Sequence, residues 1–190
     1  MFTSLVPQIC NIKAHFKLKH ETKPFEFEST LPPALRHHAV RKGNFTIYRD
    51  HEYKKVVFTL FHFSRHVNLT GVRSYTALEE AVKRFGELVN EIIPPANVVI
   101  DNSTASGRIW TDGRAYLDIS LLKDILRRDE KSSSTLSIRS DFFPGAVLRR
   151  KGFSSVIIFS SGKFIIVGGK SPWHIQEAYQ RLLAFIRLME

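Results

Sequence analysis

The chain has 190 residues, 43% of them hydrophobic, and a formal charge of +10 with its histidines counted as neutral. That length suits one domain or two small ones, the hydrophobic share is that of an ordinary globular chain, and charge of this sign favours polyanionic partners such as nucleic acid. The single cysteine, Cys10, excludes an intramolecular disulfide and points to a reducing compartment, while neither a signal peptide nor a membrane span is expected, because no charged-then-apolar leader opens the chain and the longest apolar runs are broken by Gly, Ser and Lys.

In chain order, the segment from Glu28 to Val40 has the place of a helix, but Pro32-Pro33 makes it short or irregular. Leu78, Ala81, Val82, Phe85, Leu88, Val89 and Ile92 recur at helical spacing. Thr76 with Glu79 forms a candidate capping box for that helix, and Ser74 is the alternative start. Pro94-Pro95 ends it and links two halves of the chain. A shorter helix is expected from about Ile119 to Arg127, followed by a loop at Asp129 to Thr135. Val156 to Phe159 and Phe164 to Val167 read as a hairpin around a Ser160-Ser161-Gly162-Lys163 turn. Ser171 and Pro172 have the character of an N-cap and first helical residue. Ile175, Ala178, Leu182, Phe185, Ile186 and Met189 then form an apolar stripe.

The chain repeats itself. Residues 62–85 lie over residues 159–182 without a gap at an offset of 97. This register pairs Ser64 with Ser161, Gly71 with Gly168, Ser74 with Ser171, Glu80 with Glu177 and Arg84 with Arg181. Such an offset marks an internal duplication, and each half ends in strand, turn, strand, helix. Two long helices and about ten short strands fit an α+β fold, an antiparallel sheet with helices on one face. In the hairpin, Ile158, Phe164 and Ile166 share one face, and Ile157, Phe159, Lys163, Ile165 and Val167 share the other. If helices cover the first set, the second is an open apolar face with basic residues in it, which marks a binding surface.

The "FPG" at Phe143, the Arg six residues after that Phe, and "IFSSGK…GGK" resemble the second repeat of the TATA-box-binding protein family. "VPQICNI" and "LTGVRS" resemble that family's opening strand and the end of its fifth strand. The resemblance implies a saddle of two pseudo-symmetric repeats, residues 1–93 and 97–190, forming one curved antiparallel sheet with helices on the convex face. It implies a concave face on the DNA minor groove, with Phe wedges that unstack base steps and kink the duplex; the same family serves as a standard example of that mechanism.

Carried over residue by residue, the wedge positions fall on Phe143, Phe159 and Phe45, and the fourth on His62, flanked by Phe61 and Phe63. The central asparagines match Asn11 and Asn102. The threonine near the end of the fifth strand matches Thr70 in the first half and is replaced by Val167 in the second. Apolar floor positions match Ile165 and are replaced by Lys13, Asn68 and Thr104. Phosphate-facing cations match Arg149, Lys163 and Lys170, with His66 and Arg73 in the first half. The polar first half implies a relaxed preference for A·T pairs. The loop containing Arg139, Asp141 and Phe142 is the family's docking site for a transcription factor IIB-like protein, and a IIA-like protein and the polymerase machinery are further implied partners. The divergence from the family pattern and the short N-terminus point to a virus or a divergent eukaryote, hence to the nucleus or a viral factory.

No glycine-rich phosphate loop is present, and His37-His38 and His62/His66 have no Cys or carboxylate at metal-ligand spacing. No enzyme, cofactor or metal is therefore expected. Two functions remain: a DNA-binding initiation factor, and an adaptor of the same fold acting through protein contacts.

Overall fold

The computed structural model describes residues 2–4, 6–19, 25–53, 55–111, 117–128, 135–138, 145–150 and 152–188. In chain order the elements are β1 (Phe2–Ser4), β2 (Gln8–Lys17), α1 (Phe27–Thr30), β3 (Ala39–Lys42), β4 (Phe45–Arg49), β5 (Val57–Phe61), β6 (His66–Val72) and α2 (Tyr75–Leu88). They continue with β7 (Val99–Thr111), α3 (Ile119–Arg128), β8 (Thr135–Ile138), β9 (Gly145–Arg149), β10 (Ser155–Phe159), β11 (Lys163–Gly169) and α4 (Pro172–Arg187). Contacts divide the chain into a first unit, Asn11–Asp101, and a second, Met1–Cys10 with Asn102–Glu190. The boundaries fall inside β2 and β7.

In the first unit the strands run antiparallel in the order β3-β4-β5-β6-β2. Strict alternation sends Ile12, Ala14, Phe16, Phe58, Leu60, Val67 and Leu69 to one buried face. Helix α2 lies on that face through Phe85. Its ring stacks on Phe58 at 4.5 Å and Phe27 at 5.4 Å, and meets Phe16 edge-on at 5.7 Å. Each such fully buried side chain contributes about 1.5–3 kcal/mol. The expected break at Pro32-Pro33 is present: α1 spans a single turn, and a short 3-10 segment, Pro33–His38, follows.

The second unit has the same plan, in the order β7-β11-β10-β9-β8, with β1 pairing β7. Its core joins Ile158, Phe164 and Ile166 of the hairpin to Ile175, Ala178, Leu182, Phe185 and Ile186 of α4. Phe164 stacks on Tyr179 at 5.8 Å. The fold is thus α+β, with antiparallel strands and helices on one face of each unit.

Of the two candidate starts of helix α2 the structure uses Ser74, whose hydroxyl accepts from the Ala77 N–H at 3.0 Å, and not the Thr76–Glu79 box. Two expectations change in detail. The helix ends at Leu88, where Asn90 turns left-handed at φ 52, so Ile92 falls off the apolar stripe and is 89% exposed. Ser171 caps α4 by position only; its hydroxyl bonds His174 Nδ1 at 2.7 Å instead. Met189 lies outside the described residues.

Candidate nucleic-acid interface

The face of each sheet opposite its helices carries most of the expected site residues. In the second unit Asn102, Thr104, Ser106 and Arg108 of β7 are half-buried on it. Across the ladder Ile165 faces Ser106, and Ile157 faces both Ile165 and Val147. Phe159 is half-buried opposite Gly145. Arg149, Lys163 and Lys170 are exposed. Lys163 also sits directly across from Arg108, a cation that the sequence reading passed over. Two like charges at one cross-strand position are unfavourable alone and favourable against an anion.

In the first unit the same face presents Asn11, Lys13, His15, Asn68, Thr70, Phe45 and Phe61, all half-buried or exposed. Phe45 and Phe61 are cross-strand partners with ring centroids 5.8 Å apart. Arg73 is exposed just beyond β6. His66 is half-buried and stacks on His15 at 4.8 Å.

The central asparagines are oriented alike. Asn11 Oδ1 accepts from the Gly71 N–H at 2.8 Å and from the Thr70 hydroxyl at 3.3 Å. Asn102 Oδ1 accepts from the Gly168 N–H at 2.7 Å. Both glycines are left-handed, at φ 89 and φ 88, a conformation glycine adopts at least cost. A backbone N–H only donates, so each amide oxygen must point back at its glycine. The two NH2 groups have no partner among the described residues and are left as donors. Val167 supplies no hydroxyl corresponding to Thr70.

His62 is the clear correction. It is 1% exposed and lies on the core side. Phe61, its neighbour, occupies the open face. The turn between β5 and β6 spans residues 62–65, whereas that between β10 and β11 spans 160–162. One extra residue shifts the ungapped register by one, and a shift by one moves every side chain to the other face. After the turn the offset of 97 holds: Arg65 at φ 54 stands where Gly162 stands at φ 76. With the shift applied, Phe61 follows Phe45 at the same spacing at which Phe159 follows Phe143.

His62 has a structural job. Thr46 donates its hydroxyl proton to Glu28 Oε1 at 2.6 Å, so the 2.8 Å contact to His62 is donated by Nε2–H. Burial, then the charge of Arg41, lowers the His62 pKa from its ordinary value. Burial alone would raise Glu28, but the Thr46 bond, a backbone bond and the charges of Arg41 and His62 hold it below the usual carboxylate range.

A pair that sequence reasoning missed lies on the open face: His15 Nδ1 meets Asp101 Oδ1 at 2.7 Å, and Lys13 Nζ lies 3.9 Å from the other carboxylate oxygen. Alternation from Asn11 through Lys13 would have placed His15 on this face, but nothing local names Asp101 as its partner. Phe143, Arg139, Asp141 and Phe142 lie outside the described residues. Among the described residues no group of three or more His, Cys, Asp or Glu side chains is placed to hold a metal ion, and no helix is long and apolar enough to cross a membrane.

Comparison with known proteins gives two findings. Residues 99–189 match the family model described as transcription factor TFIID, or TATA-binding protein. The solved structure of the Methanococcus jannaschii TATA-binding protein superposes with a TM-score of 0.67 at 24% identity, over 95% of this chain and 98% of that one. At that identity the likeness speaks to the fold. No curated protein matches the sequence.

Proposed function

We propose, from the match of residues 99–189 to the TATA-binding protein family model and from a fold of the same kind, that the chain is an initiation factor that binds and bends promoter DNA through the minor groove. This is a family of transcription factors, not of enzymes. The observation that carries the reading is the open face of the second unit. Ile157, Phe159, Ile165 and Val167 form a half-exposed apolar strip there, with Arg149, Lys163 and Lys170 exposed around it. Among the described residues of β9, β10 and β11 there is no carboxylate.

Such a surface suits the minor groove, which offers few polar groups and is read by width, apolar contact and phosphate neutralisation. Residues 1–93 and 97–190 would each cover one half-site. Phe45 and Phe61 would wedge one end, and Phe159 with Phe143 the other. Asn11 and Asn102 would donate to base acceptors near the centre, with Thr70, Val167, Ile165 and Thr104 on the floor. Arg73, Arg149, Lys163 and Lys170 would face phosphates. Lys13 and Asn68 in place of apolar floor residues would relax the preference for A·T in the half-site under the first unit. Arg139, Asp141 and Phe142 would dock an altered or dedicated factor IIB-like partner, in the compartment where the promoter is transcribed.

One observation favours the second reading, an adaptor with little DNA affinity: the first unit's open face includes an anion, Asp101, which is unfavourable near phosphates. Mobility shift on short duplexes across a salt series separates the two. The initiation-factor reading expects binding whose logarithm falls steeply with log salt, and a shallower slope by about one for Lys163→Ala. No shift at low salt would favour the adaptor.

A further inference from the structure

The Asp101–His15 pair fixes the chemistry of one ring on the open face of the first unit. The bond joins Oδ1 to Nδ1 at 2.7 Å, and the two side chains are 30% and 29% exposed. A carboxylate accepts and does not donate, so Nδ1 carries the proton. In a neutral imidazole the other nitrogen, Nε2, is then an acceptor. It has no partner among the described residues. The ring plane is held as well, stacked on His66 at 29° between planes. Burial and the neighbouring His15 lower the His66 pKa, against the pull of Asp101, which keeps that stacking partner neutral near pH 7.

We propose that His15, oriented by Asp101, is a specificity residue whose Nε2 accepts a hydrogen bond from the exocyclic amino group of a guanine in the minor groove; this rests on the reading above that the face binds duplex DNA there. In the minor groove an A·T pair presents only acceptors, and a G·C pair adds one donor, the guanine amino group. Asn11 cannot serve that donor, because its oxygen is taken by Gly71. A fixed acceptor matches guanine and opposes the lone pairs of A·T.

The second unit has different chemistry at the same positions. Cys10 precedes Asn11 as Asp101 precedes Asn102, and Ser106 follows Asn102 at the spacing at which His15 follows Asn11. There Cys10 Sγ and Ser106 Oγ lie 2.9 Å apart, and either atom can donate. A hydroxyl that gives or takes a proton discriminates less. Guanine is therefore favoured in one half-site only.

The test is equilibrium binding at pH 8 to duplexes in which one pair at a time is A·T, inosine·C, G·C or 2,6-diaminopurine·T. Inosine is guanine without the amino group, and diaminopurine is adenine with it. At one position in one half-site, G·C should bind at least as well as inosine·C, and diaminopurine·T at least as well as A·T. His15→Leu should lower the G·C to inosine·C ratio there roughly 2- to 12-fold, the net worth of one hydrogen bond. His15→Gln keeps an acceptor and should recover part of the ratio. Asp101→Asn frees the tautomer and should lower the ratio too, although removing a negative charge strengthens binding to every duplex; a uniform electrostatic gain cancels in the ratio. Intact binding with unchanged ratios in both His15→Leu and Asp101→Asn would overturn the guanine contact and leave the minor-groove reading standing. Absence of wild-type binding to any duplex at low salt would overturn both.

Discussion

Replacing Phe61 and His62 separately by alanine should produce opposite defects in adjacent residues. His62 is 1% exposed and donates to Thr46 at 2.8 Å. Truncation leaves a cavity and removes one buried hydrogen bond, at a cost of about 3 kcal/mol. For a chain of this size that corresponds to a fall in Tm of roughly 6–12 °C. DNA affinity of the folded fraction should not change. Phe61 is half-buried beside Phe45, so only about half of a phenylalanine's transfer energy remains to be gained on DNA. That leaves about 0.75–1.5 kcal/mol, or about four- to twelvefold in Kd. Fluorescence transfer between duplex ends should report less bending for Phe61→Ala, and thermal melts should separate the two variants. Reduced bending in a folded His62→Ala, with wild-type bending in Phe61→Ala, would refute the one-residue shift in the first hairpin.

Three further expectations concern the same framework. Asn102→Asp keeps the acceptor for the Gly168 N–H but replaces the outward NH2 with negative charge, so Tm should hold while DNA affinity falls about tenfold in a filter-binding titration. Gly168→Ala meets open space and should cost about 1–2 kcal/mol for its left-handed backbone alone, whereas at Gly71 the added carbon would also strike the Lys55 carbonyl, so chemical denaturation should find Gly71→Ala the more destabilised. His62, with its pKa lowered from 6.5, is neutral when folded and takes up a proton more readily when unfolded; stability is present above pH 6.5 and lost as pH falls below it, and His62→Gln should flatten denaturation midpoints between pH 7.5 and 5.

The second unit was the more legible half in the sequence. Its hairpin alternates without interruption, so the split of Ile158, Phe164 and Ile166 from Ile157, Phe159 and Ile165 follows from the strand period alone. Helix α4 carried both a start signal and a stripe. In the first unit the anchors of the repeat, Gly71 and the α2 residues, fixed the register only after the turn. An insertion in the turn leaves no mark on an ungapped overlay, and it moved the wedge position from Phe61 to His62. Periodicity likewise ran on to Ile92, because a left-handed Asn90 is a backbone event that apolar spacing does not report. The Asp101–His15 pair spans 86 positions and forms only in the folded chain. Its chemistry was readable residue by residue, but its geometry was not.

The minor groove is the central claim, and replacing every A·T pair of a bound duplex by inosine·C tests it most directly. That substitution changes the major-groove pattern and keeps the minor-groove acceptors unchanged. Affinity within about threefold of the A·T duplex is the predicted result, since donors such as Asn102 and an apolar strip such as Ile157, Ile165 and Val167 would meet the same floor. A loss of tenfold or more on the inosine duplex, with the A·T duplex still bound, would place recognition in the major groove and contradict the account.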